Sequence, residues 1–114
     1  MSRHEDAVRL RHMLDAALKV REFVAGRTRG DLEQDERLAL ALVRLVEIIG
    51  EAAKQVSEET RTLHPHIPWA SIMATRNRLI HGYFDVDLDI IWHIVSADLP
   101  ALIPVLQRIL TPPK

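Results

Sequence analysis

The sequence predicts an all-α protein, an up-and-down bundle of four main helices with one short additional helical turn. Two observations carry that prediction. Apolar residues recur at helical spacing along the whole chain, whereas β-branched runs with alternating polarity do not occur. The 114 residues also include only 4 glycines, and aromatic residues make up only 4%, so the frequent turns of an all-β chain are missing.

The first helix is expected from about Arg3 to Ala25, with Leu10, Leu14, Ala17, Leu18, Arg21 and Val24 on one stripe. Gly26 closes it, and RTRGD forms a polar turn with Asp31 as N-cap. A second helix is expected from about Asp35 to Ser57. Leu38, Leu42, Leu45, Ile49, Ala52 and Val56 form its main line, and Leu40, Val43, Val46 and Ile48 broaden it. A helix this apolar in a short chain needs cover on more than one side, and a second subunit is an economical source of it. Gly50, Ala52 and Ala53 would let another helix approach closely. SEETRTLHPHIP is a break with one short helical turn.

Pro68 then starts a third helix, running to about Gly82, where a missing N–H costs little. DVDLD offers N-caps for a last helix from about Leu88 to Leu110. Its buried side is Ile91, Ile94, Val95, Leu102, Leu106 and Ile109, with Pro100 and Pro104 kinking or dividing it. No repeat or linker interrupts the chain, so residues 1–114 read as a single helical domain.

Composition narrows the function classes. Apolar residues at 47% and charged residues at 27% give a globular balance rather than a disordered one. A formal net charge of −1 provides no bulk field for nucleic acid, though a local basic patch is compatible with it. The absence of cysteine excludes disulfides, thiolate nucleophiles and thiolate metal sites. The N-terminus, MSRHEDAVRLRH, is charged from its third residue and unlike a signal peptide, and no uninterrupted apolar run approaches membrane-spanning length. A cytoplasmic protein with no membrane partner is expected.

The chemistry concentrates in RNRLIHGY, residues 76–83. On a continuous third helix, Arg76 falls inside an apolar arc of about 120° formed by Trp69, Ile72, Met73, Leu79 and Ile80, while Asn77 and His81 share its edge and Arg78 points to solvent. An arginine in an apolar stripe requires a partner or a functional cleft. The structural explanation is an ion pair with Glu47 or Glu51. The functional one is a phosphate site, because a guanidinium binds phosphate bidentately and an imidazole can move a proton at a ribose hydroxyl. Cleavage of RNA without a metal needs little more than these groups. Arg76 and His81 are about 140° apart on an ideal helix, so they converge only if the helix ends near Leu79–His81 or across a dimer interface.

Arg76, the polar Asn77, His81 and then Tyr83 resemble the Arg–polar–spacer–His–x–Tyr motif of the HEPN superfamily. Over nearly its whole length the chain is similar to HepT toxins, the ribonuclease half of HEPN/MNT toxin–antitoxin pairs; EIIGEAAKQVSEE, HPHIPWASIMATRNRLIHGYFDVDLDIIW and DLPALIPVL carry that likeness. The resemblance implies that Arg76 and His81 are the catalytic pair and that Asn77 orients the site. It makes Tyr83 the residue to which a partner MNT-type nucleotidyltransferase adds AMP to silence the toxin. It further implies a helical homodimer whose two motifs face one cleft, RNA substrates including tRNA, and no cofactor or metal. The alternative is a non-catalytic HEPN adaptor that binds a nucleotide or a nucleotidyltransferase partner through the same cleft.

Other features carry structural readings. DVDLD lacks the Gly and Glu that a calcium loop needs, having Ile90 and Ser96 there, and N-capping accounts for its acids. His64-Pro65-His66 is a turn rather than a metal site, and Trp92 and His93 are read as packing residues. Arg3, Arg9, Arg11, Lys19 and Arg21 form a solvated face that could contact RNA backbone.

Overall fold

The computed structural model describes residues 3–81 and 85–111, with Arg3, Ile80 and His81 described through their backbone alone. It is mostly helical, and three long helical stretches build its core. Helix α1 spans Arg3–Val24, α3 spans Glu36–Gln55, and a continuous C-terminal stretch comprises α7 (Leu88–His93), a π-helical turn (Ile94–Asp98) and α8 (Leu99–Leu110). Shorter helices α2 (Asp31–Gln34), α4 (Glu58–Leu63), α5 (Trp69–Met73) and α6 (Thr75–Leu79) fill the connections. After α6 come two two-residue strands, β1 (Ile80–His81) and β2 (Asp85–Val86).

Helix α1 lies against α3 and α8. Leu10, Leu14 and Ala17 face the core as the periodicity predicts, but Met13 and Val20 are buried in place of the expected Arg21, which is exposed. The stripe therefore turns about one residue earlier at its C-terminal end. Gly26 closes the helix at φ +74, a left-handed conformation that glycine adopts without a Cβ clash. Asp31 does not cap a helix from outside. It opens α2 and tightens the preceding turn, accepting from the Thr28 N–H at 2.6 Å. Asp35 caps α3 by accepting from the Leu38 N–H at 3.1 Å.

Helix α3 is the hub. Its buried positions run from Leu38 to Ala53, and it contacts α1, α2, α5, α6 and α7. Its apolar breadth is thus covered largely from within the chain, so that breadth alone does not call for a second subunit. Leu40, 56% exposed, is the large apolar residue this arrangement leaves uncovered on α3. Gly50 permits the closest approach: a Cβ there would stand 3.0 Å from the backbone oxygen of Ile72 in α5.

A buried carboxylate ties the ends of the bundle together. Asp6, 3% exposed, accepts from the Ser57 N–H at 2.9 Å, the Ser57 hydroxyl at 2.6 Å and the Thr60 hydroxyl at 2.5 Å. Ser57 is also the N-cap of α4. Burial alone would raise the Asp6 carboxyl pKa, but these three donors outweigh it and hold the group below its ordinary value.

The C-terminal stretch begins with Asp87 as N-cap, accepting from the N–H groups of Asp89 and Ile90. The π turn ends at Asp98, two residues before Pro100. Pro100 cannot donate to Ser96, and its ring would press on that carbonyl, so the widened turn accommodates it without breaking the helix. By length and composition alone, the 23 residues Leu88–Leu110 could cross a membrane, contrary to the sequence expectation. Within the fold every large aliphatic residue in this stretch is buried or half-buried, and its exposed positions are polar, proline or alanine. That is the pattern of an amphipathic core helix.

Candidate functional site

The expected third helix is two helices. It breaks at Ala74, whose φ −89 and ψ 4 depart from the helical region. Thr75 stabilises the break from within, its hydroxyl donating to the backbone oxygens of Ile72 at 2.6 Å and Ser71 at 3.2 Å. The break resets the helical phase. Thr75 and Leu79 become the buried positions of α6, at 5% and 0% exposure. Arg76, placed in the apolar arc by a continuous-helix wheel, instead projects outward with 71% of its side chain exposed.

Arg76 does meet one of the two acids proposed from the sequence. Its Nε lies 3.9 Å from Oε2 of Glu47, a long, loosely held pair whose carboxylate side is 23% exposed. A pair of that length on an exposed arginine adds little to stability, so its guanidinium has donors to spare for an anion. Asn77 is exposed beside it. Arg78 does not simply point to solvent. It is half-buried and donates from Nη1 to the Ser71 hydroxyl at 2.7 Å, on the opposite side of α6 from Arg76. There it borders a cavity of about 300 Å³, otherwise walled mainly by apolar side chains of α3, α5 and α8.

Helix α6 ends at Leu79 rather than near Gly82. The chain then turns into β1, antiparallel to β2, with Ile80 opposite Val86 and His81 opposite Asp85. The Leu79 carbonyl accepts from the Asp87 N–H at 2.8 Å, a bond that continues the ladder where helix would otherwise have gone on. His81 therefore does not stand on the helix that carries Arg76. The separation of about 140° expected on an ideal helix does not apply, because a strand turns the chain differently. Gly82, Tyr83 and Phe84 lie outside the described residues, so Tyr83, the candidate for modification, has no position here. The pairing of short strands beside α6 was not foreseen; its signal in the sequence was Gly82 between Ile80-His81 and the acids of DVD.

The segment leading into α5 is well anchored. Trp69 is 8% exposed, and its indole N–H donates to the His64 carbonyl at 2.9 Å across the His64–Pro68 turn. Arg61 reaches over from α4 to place Nη1 3.1 Å from the Met73 sulfur. An exposed link joins α2 to the start of α7: Arg29 pairs with Asp89 at 2.8 Å and Glu33 at 3.1 Å.

The family model described as "Ribonuclease HepT-like" matches residues 13–109. The chain belongs to the HepT-like ribonuclease family, within the HEPN superfamily. It is 37% identical to the "Probable ribonuclease HepT" of Thermococcus cleftensis over 93 residues, covering 82% of this chain and 84% of that protein. It is 38% identical to the "Putative RNase TTE0752" of Caldanaerobacter subterraneus subsp. tengcongensis over 88% of this chain and 93% of that one. A longer relative is the "Gamma-glutamylcyclotransferase and putative RNase MJ0434" of Methanocaldococcus jannaschii. It is 36% identical over 88% of this chain, which spans only 45% of that protein. No solved structure matches the chain. The HepT-like match runs through α6, β1 and β2, so the motif at Arg76–Tyr83 lies inside the matched region rather than at its margin.

Proposed function

We propose that this HepT-like protein is a metal-independent endoribonuclease, with Arg76 and His81 as its catalytic residues and Asn77 orienting the site. The observation that carries this reading is the exposure of Arg76 on a short helix that ends at Leu79, two residues before His81. The guanidinium is available to a phosphodiester rather than consumed in the core. The relatives named as ribonucleases support the substrate class.

The reaction proceeds by attack of the ribose 2′-oxygen on the adjacent phosphorus. An imidazole accepts the 2′-hydroxyl proton as the new P–O bond forms. Arg76 stabilises the added negative charge on the non-bridging oxygens, and the P–O5′ bond breaks as the leaving oxygen takes a proton from an acid. The products are a 2′,3′-cyclic phosphate and a 5′-hydroxyl. One motif contributes one imidazole, so a symmetric homodimer with both motifs on one cleft supplies base and acid together.

In the same reading the single helical domain, residues 1–114, acts in the cytoplasm as the toxin of a toxin–antitoxin pair. An MNT-type nucleotidyltransferase partner transfers AMP to Tyr83. A phosphodiester-linked AMP two residues after His81 would compete with the RNA phosphate for Arg76 and fill the cleft.

The test uses purified protein whose mass shows no AMP and whose light scattering shows twice the chain mass. Wild type incubated with total tRNA in EDTA is expected to cut, and His81→Ala is not. Intact tRNA with dimeric, unmodified wild type would refute the enzyme and leave the non-catalytic adaptor.

A further inference from the structure

Apart from the motif, a second group of basic side chains gathers where α1 meets α3. Arg9 and His12, one turn apart on α1, line a cleft of about 250 Å³ with Arg44, Ile48, Glu51 and Gln55 of α3. Three basic side chains thus face one acid. That acid, Glu51, is already in contact with Lys54 at 3.5 Å. Among the described residues, neither Arg9, His12 nor Arg44 has an ion pair or a side-chain hydrogen bond. Arg9 is half-buried and its Nε is fully enclosed without any hydrogen-bond partner. A buried guanidinium N–H without an acceptor is costly, so an anion that drew the Arg9 guanidinium into the cleft would relieve that cost. The chain as a whole carries a net charge of −1, so a local excess of this kind does not follow from bulk composition.

The position of the cleft indicates which anion. Arg44 precedes Glu47 by three residues, and residues so spaced are neighbours on a helix surface, about 5–6 Å apart at Cβ. Glu47 is the residue that Arg76 approaches at 3.9 Å. Arg44 therefore lies on the side of the cleft nearer the motif, with the Glu47 carboxylate, already approached by Arg76, between the two arginines. A chain of phosphates threaded past Arg76 would next meet Arg44 and then Arg9.

We propose that the α1–α3 cleft binds a backbone phosphodiester of the RNA strand next to the one being cleaved, with Arg9 and Arg44 as its ligands and His12 at its rim. This rests on the ribonuclease reading above. The cleft gives a protein of near-zero net charge a local hold on RNA, independent of base sequence. Arg9 and Arg44 are binding residues here and take no part in bond breaking.

The experiment measures binding of a fluorescent 2′-O-methyl RNA oligonucleotide, which cannot be cut, by full-length wild type, Arg44→Gln, Arg9→Gln and the double variant between 50 and 300 mM salt. Each lost phosphate contact is expected to lower the slope of log K against log salt by about 0.7, and the double variant by about 1.4. At 100 mM salt the double variant should bind at least about fivefold more weakly, by a similar factor for unrelated sequences. Arg9→Lys restores charge and should recover part of the slope. Arg44 is exposed, so its variant keeps the test valid should Arg9→Gln prove less stable. In cleavage assays KM should rise for long RNA while kcat holds. Unchanged affinity and slope in Arg44→Gln and the double variant, with wild type binding and cutting RNA, would overturn the cleft alone. Wild type that neither binds nor cuts RNA would overturn the ribonuclease reading and the cleft with it. Binding of an acidic peptide lost in both Gln variants, with RNA binding intact, would reassign the cleft to a protein partner.

Discussion

Replacing Asp6 tests how the N-terminal helix holds the segment that leads to the motif. Its carboxylate is 3% exposed and accepts three hydrogen bonds, two from Ser57 and one from Thr60. Hydrogen bonds to a charged acceptor contribute about 1.5–3 kcal/mol each, and those sharing one acceptor are not additive. The two hydroxyls can find other acceptors, since the Ser57 and Thr60 hydroxyls already lie 3.3 Å apart. The Ser57 N–H has no such freedom. Asp6→Ala should therefore cost about 3 kcal/mol, and Asp6→Asn, which keeps one carbonyl oxygen, about 1–2 kcal/mol.

The pH dependence has a definite sign. A carboxyl whose folded pKa lies below its unfolded value contributes stability in full above the unfolded pKa, about 3.9, and loses it as pH falls through the folded value. Urea unfolding of wild type and Asp6→Asn at pH 7, 5, 4 and 3 reads this directly. The difference between the two proteins should be constant from pH 7 to 5 and shrink below pH 4. A difference under about 0.5 kcal/mol at pH 7, or one that stays constant to pH 3, would refute the assignment of a stabilising buried carboxylate.

Two other outcomes follow from single contacts. Arg76→Ala should change unfolding free energy by no more than about 0.5 kcal/mol, because its pair with Glu47 is long and exposed, while abolishing RNA cleavage; a loss of several kcal/mol would return Arg76 to a structural role. Gly50→Ala gains about 1 kcal/mol of helix propensity, but its Cβ meets the Ile72 carbonyl at 3.0 Å, and that oxygen is held by the Thr75 hydroxyl. Overpacking of about 1–3 kcal/mol should outweigh the gain, so a melting temperature above wild type would show that α5 shifts freely.

The long helices were legible because burial on a single face imposes a period that local sequence cannot hide. Leu42, Ile49, Ile91 and Leu106 are buried as their spacing predicts. Asp35 and Asp87, at the expected helix starts, both cap. The candidate site is marked in the sequence as a set of residues and not as a shape. A wheel drawn through Trp69–Ile80 assumes one phase, and the break at Ala74 changes it, which moves Arg76 from an interior arc to an exposed face. Nothing in ATR marks that break, since alanine and arginine are good helix formers; the Thr75 hydroxyl bonds that stabilise it depend on tertiary placement. The strand pairing of His81 has Gly82 as its one local signal, and the Asp87 N–H reaching back to the Leu79 carbonyl, a contact across the hairpin, accompanies it. The α1–α3 cleft brings together Arg9 and Arg44 from separate helices; in the sequence Arg9 stands out only as one of a solvated series and Arg44 does not stand out at all.

The central claim is attack by the substrate's own 2′-hydroxyl, and the 3′ termini of the cleaved RNA test it most directly. Fragments produced by wild type in EDTA should end in 2′,3′-cyclic phosphate, opposite 5′-hydroxyl ends, and a 2′-O-methyl group at the cleavage site should stop scission there. Fragments ending in a free 3′-hydroxyl with a 5′-phosphate would contradict the account, because water rather than the ribose would then have attacked the phosphorus.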